Sequence, residues 1–589
     1  MKRFLFLLTF LVFQTTIAQN DFLLAENYYQ QGAYEKATQI YKKLYNKNPY
    51  NTSYLKRLVS CYQETNSFNV AEVFLINQLK KHPKQAFFNV LLGYNYERKK
   101  QQELAKKYYK KALNSIDKNP NFGGIIARFF KDYNLLDNAI KAYQKTMQKN
   151  PNANYSFQIA QIYGEKGMFE KMFQSYINLV DKNEKYLNTV QRFSSKYITD
   201  DAENSNNILF KKTLLRKSIS NPKNVWNILL SWLFTQQKDY NKALIQEKAL
   251  FQRNQGTLYN ITSLGKTAFE NKNNDVAQKC FDFILENSNY KEEKLVALLY
   301  KTKVLIAQKS SKTATFFQSI FTEYGKNTST LNIQIAYADF LTFQKNKPEN
   351  AKKVLENALK FTASKFQKAK IKLKLGDVLV FTGKYNKALI YFSQIQTQLK
   401  NHQLAQEARF KVAQTSYFKG DFRWAKAQLK ILKGSVTQLI ANDAVDLYLK
   451  ITDNEPVDSI PSGLIQYAKA DLLAYQNKNN EAIVILTEII TQFKGHPIEY
   501  EALFKQAELF IKQKKYNKAI FNFTRLITIN AEGILVDDSL YELAELYKNQ
   551  LNNTEKASEY YQKIIFDFPS SIYLIDARKK FRKLRGDGI

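Results

Sequence analysis

The sequence predicts an all-α solenoid built of helix-turn-helix repeats. Three observations carry this expectation: alanines that recur every 34 residues, small and aromatic residues at fixed offsets from them, and few helix breakers, with 18 Gly and 10 Pro in 589 residues. Self-similarity at such a period marks stacked helical hairpins that bury their apolar faces only against one another. Composition excludes other classes. Two Cys and three His are too few for a disulfide scaffold or zinc ribbons, and 14% aromatic residues are too many for a disordered chain.

In chain order, Lys2 and Arg3 precede an apolar run from Phe4 to Phe13, and Thr16-Ile17-Ala18 follow. Charged, apolar and small segments in that order predict a signal peptide over residues 1–18, cleaved after Ala18, and hence export to the periplasm. The alternative is a short buried helix. Gln19, and no Cys, directly follows the expected cleavage point after Ala18, so a lipoprotein is not expected. No later stretch reaches eighteen apolar residues, so a transmembrane protein is not expected either.

Repeats follow. Ala37, Ala71, Ala105 and Ala139 are 34 residues apart, as are Ala243 and Ala277, and Ala388 and Ala519 occupy the same place in later units. Twelve residues before several of these stands a small residue, such as Gly93, Gly265 or Gly376, where the first helix must approach the second. Four residues after them stands an aromatic, such as Tyr41, Tyr109, Tyr143, Phe281, Phe392 or Phe523. Gly32, Gly167, Gly383 and Gly420 fall between the two helices, where a left-handed turn is wanted, and Pro49, Pro83 and Pro151 close second helices.

These offsets organise the chain after the signal peptide. A first array covers 19–183, a degenerate repeat 184–223, a pair of repeats 224–291, a second degenerate repeat 292–331 and a central array 332–451. A loop or hinge rich in charge, Pro and Gly spans 452–462, and a last array with a capping helix spans 463–585.

Residue types, order and unit length resemble the tetratricopeptide repeat, over roughly residues 18 to 585. The resemblance implies a right-handed superhelical solenoid whose first helices line a concave groove, and a protein-binding scaffold as function. The unit Leu543 to Leu584 resembles the closing repeats of bacterial envelope proteins. The whole chain is similar to long exported tetratricopeptide proteins of Bacteroidetes, a group without an assigned activity.

Catalytic motifs are not found: no phosphate-binding loop, no dinucleotide-binding glycine pattern, no His-Glu-x-x-His and no nucleophile elbow. The expectation is a protein without enzymatic activity, metal or cofactor. His82, His402 and His496 read as surface or turn residues, and Cys61 and Cys280 as buried small hydrophobes. Asp458-Ser459-Ile460 and Asp538-Ser539-Leu540 resemble the short O-glycosylation acceptor of exported Bacteroidetes proteins. Ser459, in the expected loop, is the better candidate because a sugar needs an exposed hydroxyl.

The formal charge of +35 suits anionic lipid, acidic glycan or nucleic acid. Only 13 of the 88 basic residues are Arg, the preferred phosphate fork, and the lysines spread over nearly every repeat. This pattern argues against nucleic acid. It leaves two readings, lysines that merely coat solvent faces and a weak attraction to an anionic surface.

Alignment on the alanines gives the inward positions of the first helices. In the first four repeats they are polar or mixed, including Lys56, Arg98, Arg128 and Lys131. From residue 224 onward they turn aromatic: Trp232, Phe269, Phe340, Phe343, Phe381, Phe410, Tyr417, Phe418, Tyr467 and Tyr475. One expectation is a groove that grips apolar anchors of envelope proteins or extended segments and tests charge in its N-terminal third. The other is that these rings are core. A peptidoglycan- or membrane-surface organiser is the alternative function. The Lys/Asn clamp with which some family members hold a C-terminal carboxylate is not visible, since Phe22, Glu26, Arg57, Phe87 and Leu91 stand at its positions.

Overall fold

A computed structural model describes residues 21–254, 257–432, 434, 438–455 and 462–587. Every regular element within them is helical. The predicted signal peptide, the candidate acceptor Ser459 and most of the expected hinge lie outside the described residues.

The hairpin of Phe88–Arg98 and Gln102–Lys118 shows how the sequence makes each unit. The second helix buries Ala105, Tyr109, Ala112 and Ile116, one stripe at helical spacing, and turns its lysines outward. Gly93 on the first helix lies under the Tyr109 ring. All eight repeat alanines, Ala37, Ala71, Ala105, Ala139, Ala243, Ala277, Ala388 and Ala519, are fully buried, because helices this close leave room for a single methyl group.

Between the helices the chain turns through one residue of positive φ. Gly32, Gly167, Gly383 and Gly420 do so, as their place in the sequence predicts. At the equivalent point of other hairpins stand Asn66, Lys100, Asn134, Lys238, Lys272, Lys309, Asn477 and Lys514. The bond from Gln101 N–H to the Tyr96 carbonyl (2.9 Å), like that from Lys515 to Phe510 (2.8 Å), closes the turn and satisfies a carbonyl the helix end leaves free. Lysine and asparagine carry no glycine signal, so these turns are legible only from their spacing.

The spans that depart from the repeat pattern are also helical, with Leu187–Ser194 and Ser205–Ser220 in the first and Lys291–Ala307 and Thr313–Tyr324 in the second. Ser539 sits in the helix Val536–Asn549, fully buried, with its hydroxyl donated to the Leu535 carbonyl. It offers no acceptor to a sugar.

One hairpin differs in a way that shapes the site described below. The helix Leu331–Asp339 continues as a π-turn over Phe340–Gln344, with Lys345 N–H bonded to the Phe340 carbonyl at 3.1 Å. Its buried small residue, Ala338, precedes Ala351 by thirteen positions rather than twelve. The wider turn absorbs the extra residue, and such π-turns are frequent at functional sites.

The chain falls into two compact units. One holds the described residues up to Thr199 together with Ser205–Leu230, the other Asp200–Asn204 with the described residues from Ser231 onward. In the first, a continuous core runs from Ala25 to Ile162. In the second, the largest core runs from Ala369 to Ala577, and smaller clusters surround Leu355 and Phe317. No helix among the described residues is long and apolar enough to cross a membrane.

Candidate functional site

In the first unit the inward side chains of the first helices are charged, and they pair with one another across repeats. Arg57 donates to Glu26 through Nε at 3.0 Å and through Nη2, and its guanidinium covers the Tyr29 ring at 4.4 Å. Arg98 pairs with Glu64 at 3.1 Å, Lys131 with Glu165 at 2.8 Å, and Lys56 with Asp132, 76 residues away, at 2.6 Å. Arg128 is exposed. Burial alone would raise the Glu26 carboxyl, but hydrogen bonds from Tyr41 and Gln30 and the Arg57 guanidinium hold it below its usual value. A hollow of about 580 Å³ between Phe22, Arg57, Lys56 and Tyr133 opens beside these pairs. Of the four cations expected to test a partner's charge, Lys56, Arg98 and Lys131 are therefore already engaged by the chain itself.

In the second unit the predicted aromatic positions separate into three groups. Tyr417 and Tyr467 are fully buried, Tyr417 against Phe418 and Phe422, so they are core and not a ligand surface. Phe340, Phe381 and Phe418 are also buried. This corrects the expectation that five of these rings face an open groove: neighbouring helices cover them. Trp232, Phe269, Phe343, Phe410 and Tyr475 are half-buried.

A contact remote in sequence gathers several of these rings. The Tyr475 ring lies 5.4 Å from Phe343 and 5.8 Å from Phe418, while Phe343 meets Phe381 edge-on at 5.5 Å. The same turn is fastened by polar bonds. Gln476 donates to the Phe381 carbonyl (2.8 Å) and Asn477 to the Phe343 carbonyl (2.8 Å). The hairpin turn at 475–477 thus closes over first helices 95 to 134 residues earlier.

Beneath it is a cavity of about 480 Å³ lined by Phe269, Phe340, Phe343, Tyr475 and a charged cluster. Lys374 lies 3.2 Å from Asp339 and 3.4 Å from Asp377, and Lys411 lies 3.0 Å from Asp377. The π-turn at 340–344 brings Phe340, Phe343 and Gln344 to the wall. Burial pushes the Asp339 carboxyl up, with partial relief from Lys374. Burial would lower Lys374, but Asp377 and Asp339 outweigh it and raise it above the ordinary lysine value. Farther along, Lys450 sits between Asp446 (3.5 Å) and Glu501 (3.6 Å), and Lys505 between Asp471 (3.1 Å) and Glu508 (3.4 Å).

The alignment of repeats identified the rings. It missed Lys303, Asp339, Lys374, Asp377 and Lys411, although Asp339, twelve residues before Ala351 at the place where other repeats carry a small residue, carried a signal.

The arrangement is that of a solenoid of helical hairpins, and comparison with known families names the hairpin. The tetratricopeptide repeat matches residues 19–49, 501–531 and 538–571, and a second model of the same repeat matches 88–119. The chain thus carries tetratricopeptide repeats at these positions. Solved structures similar to it include Naa15/Naa10 bound to HypK-THB, with 11% identity, 97% of this chain and 96% of that chain covered, and a TM-score of 0.30. The APC/C hetero-tetramer Cut9-Hcn1 is 12% identical, with 96% of each chain covered and a TM-score of 0.22. Yeast Tom70 is 13% identical, with 84% and 99% covered and a TM-score of 0.31. Among curated proteins the sequence has no match.

Proposed function

We propose that the protein is a non-enzymatic scaffold of the bacterial cell envelope that holds partner proteins along its repeats. One observation carries the reading. On second helices of the second unit, two residues after the repeat alanine, Ile390 is 58%, Val484 57% and Phe521 65% exposed. Shallow hollows of about 400 Å³ and 370 Å³ lie beside Ile390 and Val484. Apolar side chains exposed at one repeated position, with polar residues around them, are the kind of surface a partner protein covers. The envelope location rests on the order Lys2-Arg3, Phe4 to Phe13 and Ala18.

Photocrosslinking in living cells tests this, with a benzoylphenylalanine at position 484 or 521 and a control at 353, the same repeat position occupied by a lysine. The expected outcome is one or two envelope proteins captured from 484 and 521 and not from 353, and lost when Val484 and Phe521 are changed to Asp. Identical capture from all three positions, or none, defeats the reading.

The charge of +35 favours a second reading, association with acidic wall glycan or an anionic membrane surface. Recovery of wall glycan in place of a protein, abolished by high salt, would select it.

A further inference from the structure

We propose that the cavity beneath the 475–477 turn binds a small organic anion, a carboxylate carried on an aromatic or apolar body. Its charged walls hold three lysines, Lys303, Lys374 and Lys411, against two aspartates, Asp339 and Asp377, which leaves one positive charge over. Lys374 and Lys411 spend their charge on the two carboxylates at 3.0–3.4 Å. Lys303 makes no ion pair among the described residues, and its ammonium rests 4.6 Å from the centre of the Tyr300 ring. A half-buried cation that feels Asp339 and Glu270 only at a distance, with no carboxylate in ion-pair contact, gains from a ligand that supplies one. Burial and the neighbouring Lys266 accordingly hold Lys303 below the ordinary lysine value. A bound carboxylate would oppose that shift by supplying a counter-charge.

The rest of the wall suits the body of such a ligand. Phe269, Phe343 and Tyr475 give it ring surface, and about 480 Å³ falls within the roughly 300–1,000 Å³ of small-molecule sites. An aromatic wall with a few convergent polar groups is how such sites fix orientation. The π-turn that presents Phe343 departs from the repeat at this place, and local departures from regular geometry cluster where a ligand is held. The turn at 475–477 holds Tyr475 in place at the wall through its bonds to the Phe381 and Phe343 carbonyls.

The test is calorimetric titration of the full chain with 4-phenylbutanoate and with its uncharged amide, at physiological ionic strength. The acid is expected to bind at about one per chain and about tenfold or more tighter than the amide, the advantage of a charge-assisted hydrogen bond. Lys303→Met should reduce the acid to the affinity of the amide, and Lys303→Arg should preserve the difference. Ala307→Phe, at an exposed position on the rim, should abolish binding of both while leaving the helical circular dichroism unchanged. Equal binding of acid and amide, binding of neither, or acid binding that survives both Lys303→Met and Ala307→Phe overturns the proposal.

Discussion

The ring of Tyr109 lies across Gly93 so closely that a β-carbon on that glycine would sit 2.3 Å from a ring carbon. Phe392 stands over Gly376 in the same way at 2.3 Å, and Phe281 over Gly265 at 2.9 Å, always sixteen residues apart in the sequence. The aromatic of the second helix fills the space that the missing side chain of its own first helix leaves.

Gly93→Ala and Gly376→Ala should each destabilise the protein. Overpacking of this kind costs about 1–3 kcal/mol, more than the gain of up to about 1 kcal/mol that alanine brings to a helix. Urea unfolding followed by circular dichroism should show a lower midpoint, partly restored by adding Tyr109→Leu to Gly93→Ala. A raised midpoint for the single variants would mean that the helices stand farther apart in solution.

Lys100 and Lys514 occupy the left-handed turn at φ of 62° and 59°. That conformation costs a non-glycine residue about 1–2 kcal/mol, and glycine's extra chain entropy takes back about 0.5–1 kcal/mol. Lys100→Gly and Lys514→Gly should therefore each stabilise by about 0.5–1 kcal/mol, and Gly383→Ala should do the opposite. Thermal melting of the three variants against the parent decides.

Cys61 and Cys280 are fully buried free thiols, and burial pushes them up to about 11 and about 12 from an ordinary 9.0. Native protein at pH 8 should react with iodoacetamide far more slowly than protein in urea. Because the folded state holds these protons more tightly, the associated stability is complete below about pH 9 and is lost as pH rises through about 11 to 12. Replacing both thiols by Ala should flatten the fall of stability over that window. An unchanged slope would place the effect elsewhere.

Gln476→Ala with Asn477→Ala removes two bonds worth about 0.5–1.5 kcal/mol each. Hydrogen exchange should quicken around 340–345 and 475–478 and stay unchanged in the hairpin 88–118, since repeats transmit stability mainly to neighbours. Uniform quickening along the chain would contradict a local fastening.

How much of this could be read in the sequence depends on the distance over which each feature is encoded. The twelve-residue offset of Gly93 from Ala105 and the sixteen-residue offset of Gly93 from Tyr109 lie inside one hairpin, so a single sequence displays them. The turns at Lys100 and Asn134 were visible only by position, because neither side chain prefers positive φ as glycine does. Tyr417 and Phe343 stand on similar inward stretches of their helices, yet one is fully buried and the other reaches the wall of the cavity. Periodicity reports which stripe of a helix turns inward and not what lies opposite it.

By itself, then, the sequence determined the hairpin, its period and its repetition, since these rest on contacts within one or two repeats. The tertiary structure alone decided where the first-helix face is open. Gln476 reaches Phe381 across 95 residues and Asn477 reaches Phe343 across 134. Those meetings result from small rotations added over several repeats, a sum to which every intervening hairpin contributes and which no local spacing records.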